Sequence, residues 1–447
     1  MSLKFLLTFL QVFILIHAHS THPNNKIDQD RLKELHEKWS GDWAFSGIST
    51  FAHLPYTRCL TNPYATYDIA IIGAPFDTAV SYRPGARFGP RAIRAASARQ
   101  TSFRGFNHRA GFNPYQSWAK IIDCGDIPVV PFDNALAMEQ MTEAMEELLS
   151  RDSTIYQTAR SDNARNSVLD KKIPKIVTLG GDHTIALAAL RALNKFYGQV
   201  AVLHFDAHLD TWNPIKNPSA WSSEQMSLSH GCMFWLAQTA YNPPLILPNS
   251  SVHAGLRTRL SGIDYEDYDD DTNQGWYRIE ADDIDDIGVN GVIQRILDNL
   301  GKDVPIYLSV DIDVIDPGIA PGTGTPEPGG WTTREMIRIL RGLEGLNVVG
   351  ADIVEVAPAY DGAGEQTALA AAQIVYEIIT SIVKRGVDSK RVKMEGARGT
   401  RHLKNLETQV DREDIDAEEY EAIKSQISTE SDEDAPLKVQ RFNRDEL

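Results

Sequence analysis

From about Tyr67 to Gly386 the chain alternates short apolar runs with stretches of helical periodicity. Seven runs read as strands: DIAIIGAP, AKIIDCGDI, KIVTLGG, VAVLHFDAH, SVHAGL, PIYLSVDIDV and VVGADIVEV. Between several of them lie ALAMEQMTEAMEELL, TIALAALRAL, GVIQRILDNL and TTREMIRILRGL, with apolar residues at helical spacing. Strands apolar on both faces, alternating with helices, predict a mostly parallel α/β sheet covered on both sides. Ligand sites in such sheets gather at the carboxyl ends of the strands. The polar residues of these runs fall at those ends.

The flanks differ in composition. Residues 21–65 are polar, with one amphipathic stretch, DRLKELHEKW, that predicts a short helix. Residues 387–447 are strongly charged and poor in aromatics, which predicts a solvated acidic tail with room for one helix. Residues 1–20 read as a secretory signal, with Lys4 before the apolar run FLLTFLQVFILI and small residues Ala18 and Ser20 before a cut at Thr21. A retained signal anchor is the alternative. No later segment reads as long and apolar enough to span a bilayer. The last four residues, Arg444 to Leu447, resemble a retrieval signal of the endoplasmic reticulum. The expected location is therefore the lumen of that compartment, with export as the alternative.

The formal net charge of -17 argues against a nucleic-acid partner and favours cations, whether metals or amines. Three cysteines leave at least one unpaired; a Cys59–Cys124 bridge and buried free thiols both fit. Asn249-Ser250-Ser251 is an acceptor pattern for N-glycosylation.

Three segments carry the candidate chemistry. In FDAHLD, Asp206, His208 and Asp210 are two apart, so extended backbone aims them to one side. Asp311 and Asp313 in SVDIDVIDP repeat the device. In GGDHT, His183 follows a pair of glycines that let the backbone turn closely after a strand. Each piece alone is also consistent with a turn or helix cap. Together they offer four carboxylates and two imidazoles without a thiolate, a set suited to manganese rather than structural zinc. Burying such a set without cations would be costly.

GGDHT, FDAHLD, SVDIDVIDP, GTGTPEPGG and ADIVEVAP, in this order from about Tyr67 to Lys384, resemble the ureohydrolases, the arginase and agmatinase family. The resemblance implies one three-layer α/β/α domain over residues 66–386 and two manganese ions per chain. His183, Asp206, Asp210 and Asp311 would hold one ion; Asp206, His208, Asp311 and Asp313 would hold the other. A water activated between the ions would attack a guanidinium carbon and release urea. His230 in Ser229-His230-Gly231 matches a proton relay of agmatinase-like members, and Glu355 matches the partner of the substrate guanidinium. Arg87 and Arg91, in SYRPGARFGPRAIR, fit structural ion pairs equally well and receive no catalytic role.

The interval after Asp210 lacks the SGN-like loop of arginases, while SHGCMF and GTGTPEPGG are closer to agmatinases. Agmatine is thus the expected substrate. Guanidinobutyrate or another guanidino acid is the alternative, and an inactive metal-binding or scaffolding homologue the second. The family's habit implies a homo-oligomer, trimer or hexamer, with no nucleic-acid partner and no membrane contact after signal cleavage.

Overall fold

The computed structural model describes residues 29–154, 173–214, 228–301 and 303–410, with side chains considered from 31 to 388. The signal of residues 1–20, the segment 411–447 with its terminal tetrapeptide, and residues 215–227 of the interval after Asp210 lie outside them. The chain divides into residues 1–49 and 50–447. The first unit contributes α1 (Gln29–Trp39), the amphipathic stretch read from the sequence, with an Arg31–Glu34 pair at 2.6 Å on its surface.

In the second unit, β1 (Ile69–Ala74), β2 (Ile121–Asp126), β3 (Lys175–Gly180), β4 (Ala201–Phe205), β5 (Ser251–Leu256), β6 (Trp276–Glu280), β7 (Ile306–Asp311) and β8 (Val348–Val354) form one sheet. Their order is β2-β1-β3-β8-β7-β4-β5-β6, with every pairing parallel. Seven of these strands are the predicted runs. The eighth, β6, escaped because only Trp276 and Ile279 of WYRIE are buried at the sheet's edge, so the run is not apolar on both faces.

The sequence period of two decides which layer each side chain joins. Ile69, Ile71, Leu203, Leu308 and Ile353 meet Ile93 of α2 (Gly89–Ala96), Val292 and Ile296 of α7 (Asp283–Leu300), Ile339 of α8 (Thr333–Gly342) and Ile374 of α9 (Gln366–Val410). Ala70, Ile72, Val202 and Tyr307 point the other way, toward Met141 of α3 (Asn134–Leu149), Leu190 of α4 (Ile185–Tyr197) and Phe234 of α5 (Met233–Thr239). A short acidic helix, α6 (Glu266–Asn273), precedes β6. The result is the three-layer α/β/α sandwich.

One expectation needs correction. The stretch Gln366–Asp388 of α9 is long and apolar enough, by length and composition, to cross a membrane. It is 78% buried in the protein, and its small and branched residues pack on the sheet, so it is a core helix. The same helix runs on past Gly386 to Val410.

Cys59 and Cys124 form a disulfide that ties the segment before β1 to β2; Cys232, outside it, is buried and accepts from Ser229. Asn249 is exposed in a left-handed turn just ahead of β5.

Candidate active site

Four adjacent central strands, β3, β8, β7 and β4, deliver the candidate residues at their carboxyl ends. Beyond β3, any side chain at Gly181 would overlap the backbone of Phe76, so only glycine lets the chain turn here into Asp182 and His183. Asp206 directly follows β4, and Asp210 closes the segment with φ of +55°. Asp311 ends β7 and accepts the Asp313 amide at 2.9 Å, which caps the turn carrying Asp313. Glu355 follows β8 with φ of +59°, its own amide bonded to Gly181 O at 2.8 Å. Two non-glycine residues held in the left-handed region mark strain kept in place by the surrounding structure.

The side chains converge. His183 Nδ1 lies 3.1 Å from Asp206 Oδ2, 3.1 Å from Asp210 Oδ2 and 3.4 Å from Asp311 Oδ2. His208 Nδ1 lies 3.2 Å from Asp206 Oδ1 and 3.1 Å from Asp313 Oδ2. All six residues are buried except His208, which is half-buried. His183 Nδ1 is the telling atom: it is buried, surrounded by three carboxylate oxygens, and makes no hydrogen bond of acceptable geometry. One N–H could serve only one of those oxygens. A cation at their midst would serve all of them, so the donor set fits a metal centre. Asp206 belongs to both halves, His183–His204–Asp206–Asp210 and Asp206–His208–Asp313, and Asp311 stands beside the first.

The electrostatics ask for positive charge. Burial, then the neighbouring Asp313 and Asp206, push the Asp311 carboxyl well above its ordinary value. Burial and Asp206 raise Asp313 to about 6. Burial opposes the His183 imidazolium, but bonds to Asp206, Asp210 and Asp311 outweigh it and raise the ring well above its ordinary value. Carboxyls and an imidazole raised together mark a site that favours added positive charge.

Beside it, Glu355 is buried, with Oε1 accepting the His183 amide at 2.9 Å and lying 3.2 Å from His230 Nδ1. Among the described residues its Oε2 is buried without a hydrogen-bond partner. Burial lowers His230, but the bond and charge of Glu355 prevail and carry it up to about 9. Ser81 faces the ring's other nitrogen: its amide donates to Nε2 at 3.1 Å and its hydroxyl sits 2.7 Å away. A hydroxyl both donates and accepts, so Nε2 has a partner in either protonation state.

The structure therefore brings His183, Asp206, His208, Asp210, Asp311 and Asp313 together, with Glu355 and His230 beside them. It adds some that were passed over. His204 Nε2 lies 2.9 Å from Asp206 Oδ2, and burial pushes that imidazole down to about 4. Ser309 Oγ lies 2.7 Å from His183 Nε2 and donates to Asp352 Oδ1 at 2.8 Å. Asp182 accepts the Ala79 and Thr184 amides and holds the loop that carries Ser81. Each is a polar residue within or just after an apolar strand, a signal that was available. Arg87, exposed in part, pairs with buried Asp77 as a structural ion pair.

The Arginase family pattern matches residues 67–380, most of the chain. The chain belongs to the arginase family. Among arginase-family relatives, the Schizosaccharomyces pombe protein named "Putative agmatinase 1" is 49% identical over 354 residues, 79% of this chain and 87% of that one. The agmatinase of Enterobacter sp. is 38% identical over 314 residues, covering 70% of this chain and 86% of its own. The solved structure of proclavaminate amidino hydrolase from Streptomyces clavuligerus superposes with a TM-score of 0.63 at 34% identity, over 77% of this chain and all of that one.

Proposed function

We propose that the protein is a manganese-dependent ureohydrolase that splits agmatine into putrescine and urea. The carrying observation is the buried Glu355 Oε2, unpartnered among the described residues, beside a convergent cluster of three imidazoles and four carboxylates. The agmatinase relatives support the substrate. His183, Asp206, Asp210 and Asp311 would hold one ion, and Asp206, His208, Asp311 and Asp313 a second. When bound, the pair would supply Lewis acidity and a nucleophilic water at neutral pH.

The chain's own residues do the rest. Glu355 Oε2 accepts an N–H of the planar guanidinium and orients its carbon toward the cluster, while His183 N–H and His230 keep Oε1 fixed. The leaving amine needs a proton, which His230 gives from a nitrogen; Ser81 supports the ring before and after the transfer. Asp210, a member of the cluster held at left-handed φ, also acts on His230 by its charge, which favours the protonated ring.

A second reading, a guanidino acid as substrate, has one observation in its favour. Arg83 stacks over Tyr82 and Tyr360, 5.0 and 5.2 Å from the ring centroids. Its carbonyl lies against Gly324, which in turn borders Glu355 Oε2, so the segment that carries this cation runs beside the guanidinium site. Urea release from agmatine and guanidinobutyrate by the manganese-loaded protein decides between them.

Residence in the secretory pathway is proposed on two supports, the Cys59–Cys124 disulfide and the exposed Asn249. Endoglycosidase-sensitive carbohydrate on Asn249 is expected; its absence from the natively produced protein contradicts the proposal. Assembly into trimers or hexamers completes the reading, and sedimentation of the purified chain tests it.

A further inference from the structure

One polar row crosses the sheet beneath the cluster. The strand register sets Thr178 beside Asp352, Asp352 beside Ser309, Ser309 beside His204, His204 beside His253, and His253 beside Arg278. Six neighbouring strands thus each place a polar residue in one row where apolar residues would pack. All but Arg278 are buried. Burying such groups is costly unless they are bonded to one another, so the row calls for an explanation.

Half of it leads to Asp206. His204 Nε2 lies 2.9 Å from Asp206 Oδ2, and its Nδ1 lies 2.7 Å from His253 Nδ1. His253 Nε2 lies 3.1 Å from Asp271 Oδ1. Asp271, fully buried in α6, also accepts Arg278 at 2.7 Å and the Thr211 hydroxyl at 2.7 Å. The His253 ring stacks on Trp276, with centroids 4.0 Å apart, which fixes its plane.

The carboxylates at both ends only accept, so the rings of His204 and His253 supply the hydrogens that join Asp206 to Asp271. Arg278 offsets part of the negative charge buried with them.

We propose that His253 and Asp271 are positioning residues of the metal centre, acting through His204 to fix the rotation of the Asp206 carboxylate. Asp206 is a carboxylate common to both halves of the cluster, so its orientation bears on both. Removing such outer partners costs about 10- to 100-fold in metal affinity in metal sites generally. This inference rests on the manganese reading above.

The experiment is a titration of the purified full chain with Mn2+, following free ion by its paramagnetic resonance signal, for the natural protein, Asp271→Asn, His253→Phe and the double variant. Metal-free thermal midpoints are recorded in parallel. The expected result is an affinity lower by at least tenfold in each single variant, with the double variant no weaker than the worse single one, because the links act in series. Unchanged affinity in folded Asp271→Asn overturns the proposal, and so do losses that multiply in the double variant, which independent packing defects would give. Where His253→Phe does not fold, Asp271→Asn, which keeps the side chain's shape, decides alone. A natural protein that binds no manganese refutes the metal reading itself; one that binds it while the variants bind equally well refutes only this inference.

Discussion

Replacing Glu355 by Gln isolates the one contact that makes this site a guanidine site. The carboxylate is 1% exposed. Oε1 is already committed to the His183 amide at 2.9 Å and to His230 at 3.2 Å, which leaves Oε2 for substrate. Gln keeps the shape. Its amide oxygen takes over the two inward bonds, so its NH2 group must stand where Oε2 stood. There it faces the N–H groups of the guanidinium, donor against donor. A hydrogen bond to a charged group is worth about 1.5–3 kcal/mol. At about 1.4 kcal/mol per factor of ten, the expected loss in kcat/KM is about 10- to 150-fold. Manganese content should not change, since Glu355 holds no ion in this account. The assay is steady-state urea release, with metal measured on the same samples. A variant with full metal and kcat/KM within threefold of the natural protein would refute the assignment of Oε2 to the guanidinium.

Asp311→Ala should lose metal and activity together, because Asp311 is counted in both ligand sets; two ions still bound per chain would disprove the bridging assignment. Replacing Cys59 and Cys124 by Ser opens a loop of 65 residues, a loss of about 4 kcal/mol by the chain-entropy relation, to be read by denaturant unfolding with and without the bridge. In the metal-free protein, His230 is raised from 6.5 to about 9 by Glu355. Its contribution to stability should therefore be complete below 6.5 and vanish as pH rises through about 9. Thermal midpoints of the natural protein and His230→Phe should converge above that pH; a gap independent of pH would show that the ring acts by packing alone.

Much of the fold was legible because the central strands are buried on both faces and write themselves as apolar runs. Even there the pattern hid chemistry. His204 and His253 sit inside VAVLHF and SVHAGL, where a lone histidine reads as filler until the strand register sets the two side by side. Five of the six candidate ligands were readable from alternate spacing at strand ends, Asp206, His208 and Asp210 after β4 and Asp311 and Asp313 at β7, and His183 from the glycine pair before it. His230 and Glu355 needed the family resemblance, because nothing local in SHGCMF or DIVEVAP says that the two side chains meet. Strand β6 and the bridge between Cys59 and Cys124 depend on long-range pairing, which no local period encodes. The core helix α9 resembles a membrane span for the same reason: its burial is decided by the sheet it lies on, not by its own composition.

The most direct test of the account is urea release by the purified, manganese-loaded protein offered agmatine, arginine and guanidinobutyrate in turn. The account predicts urea and putrescine from agmatine, with arginine a poor substrate. No urea from any guanidino compound, with metal confirmed in the protein, would contradict it.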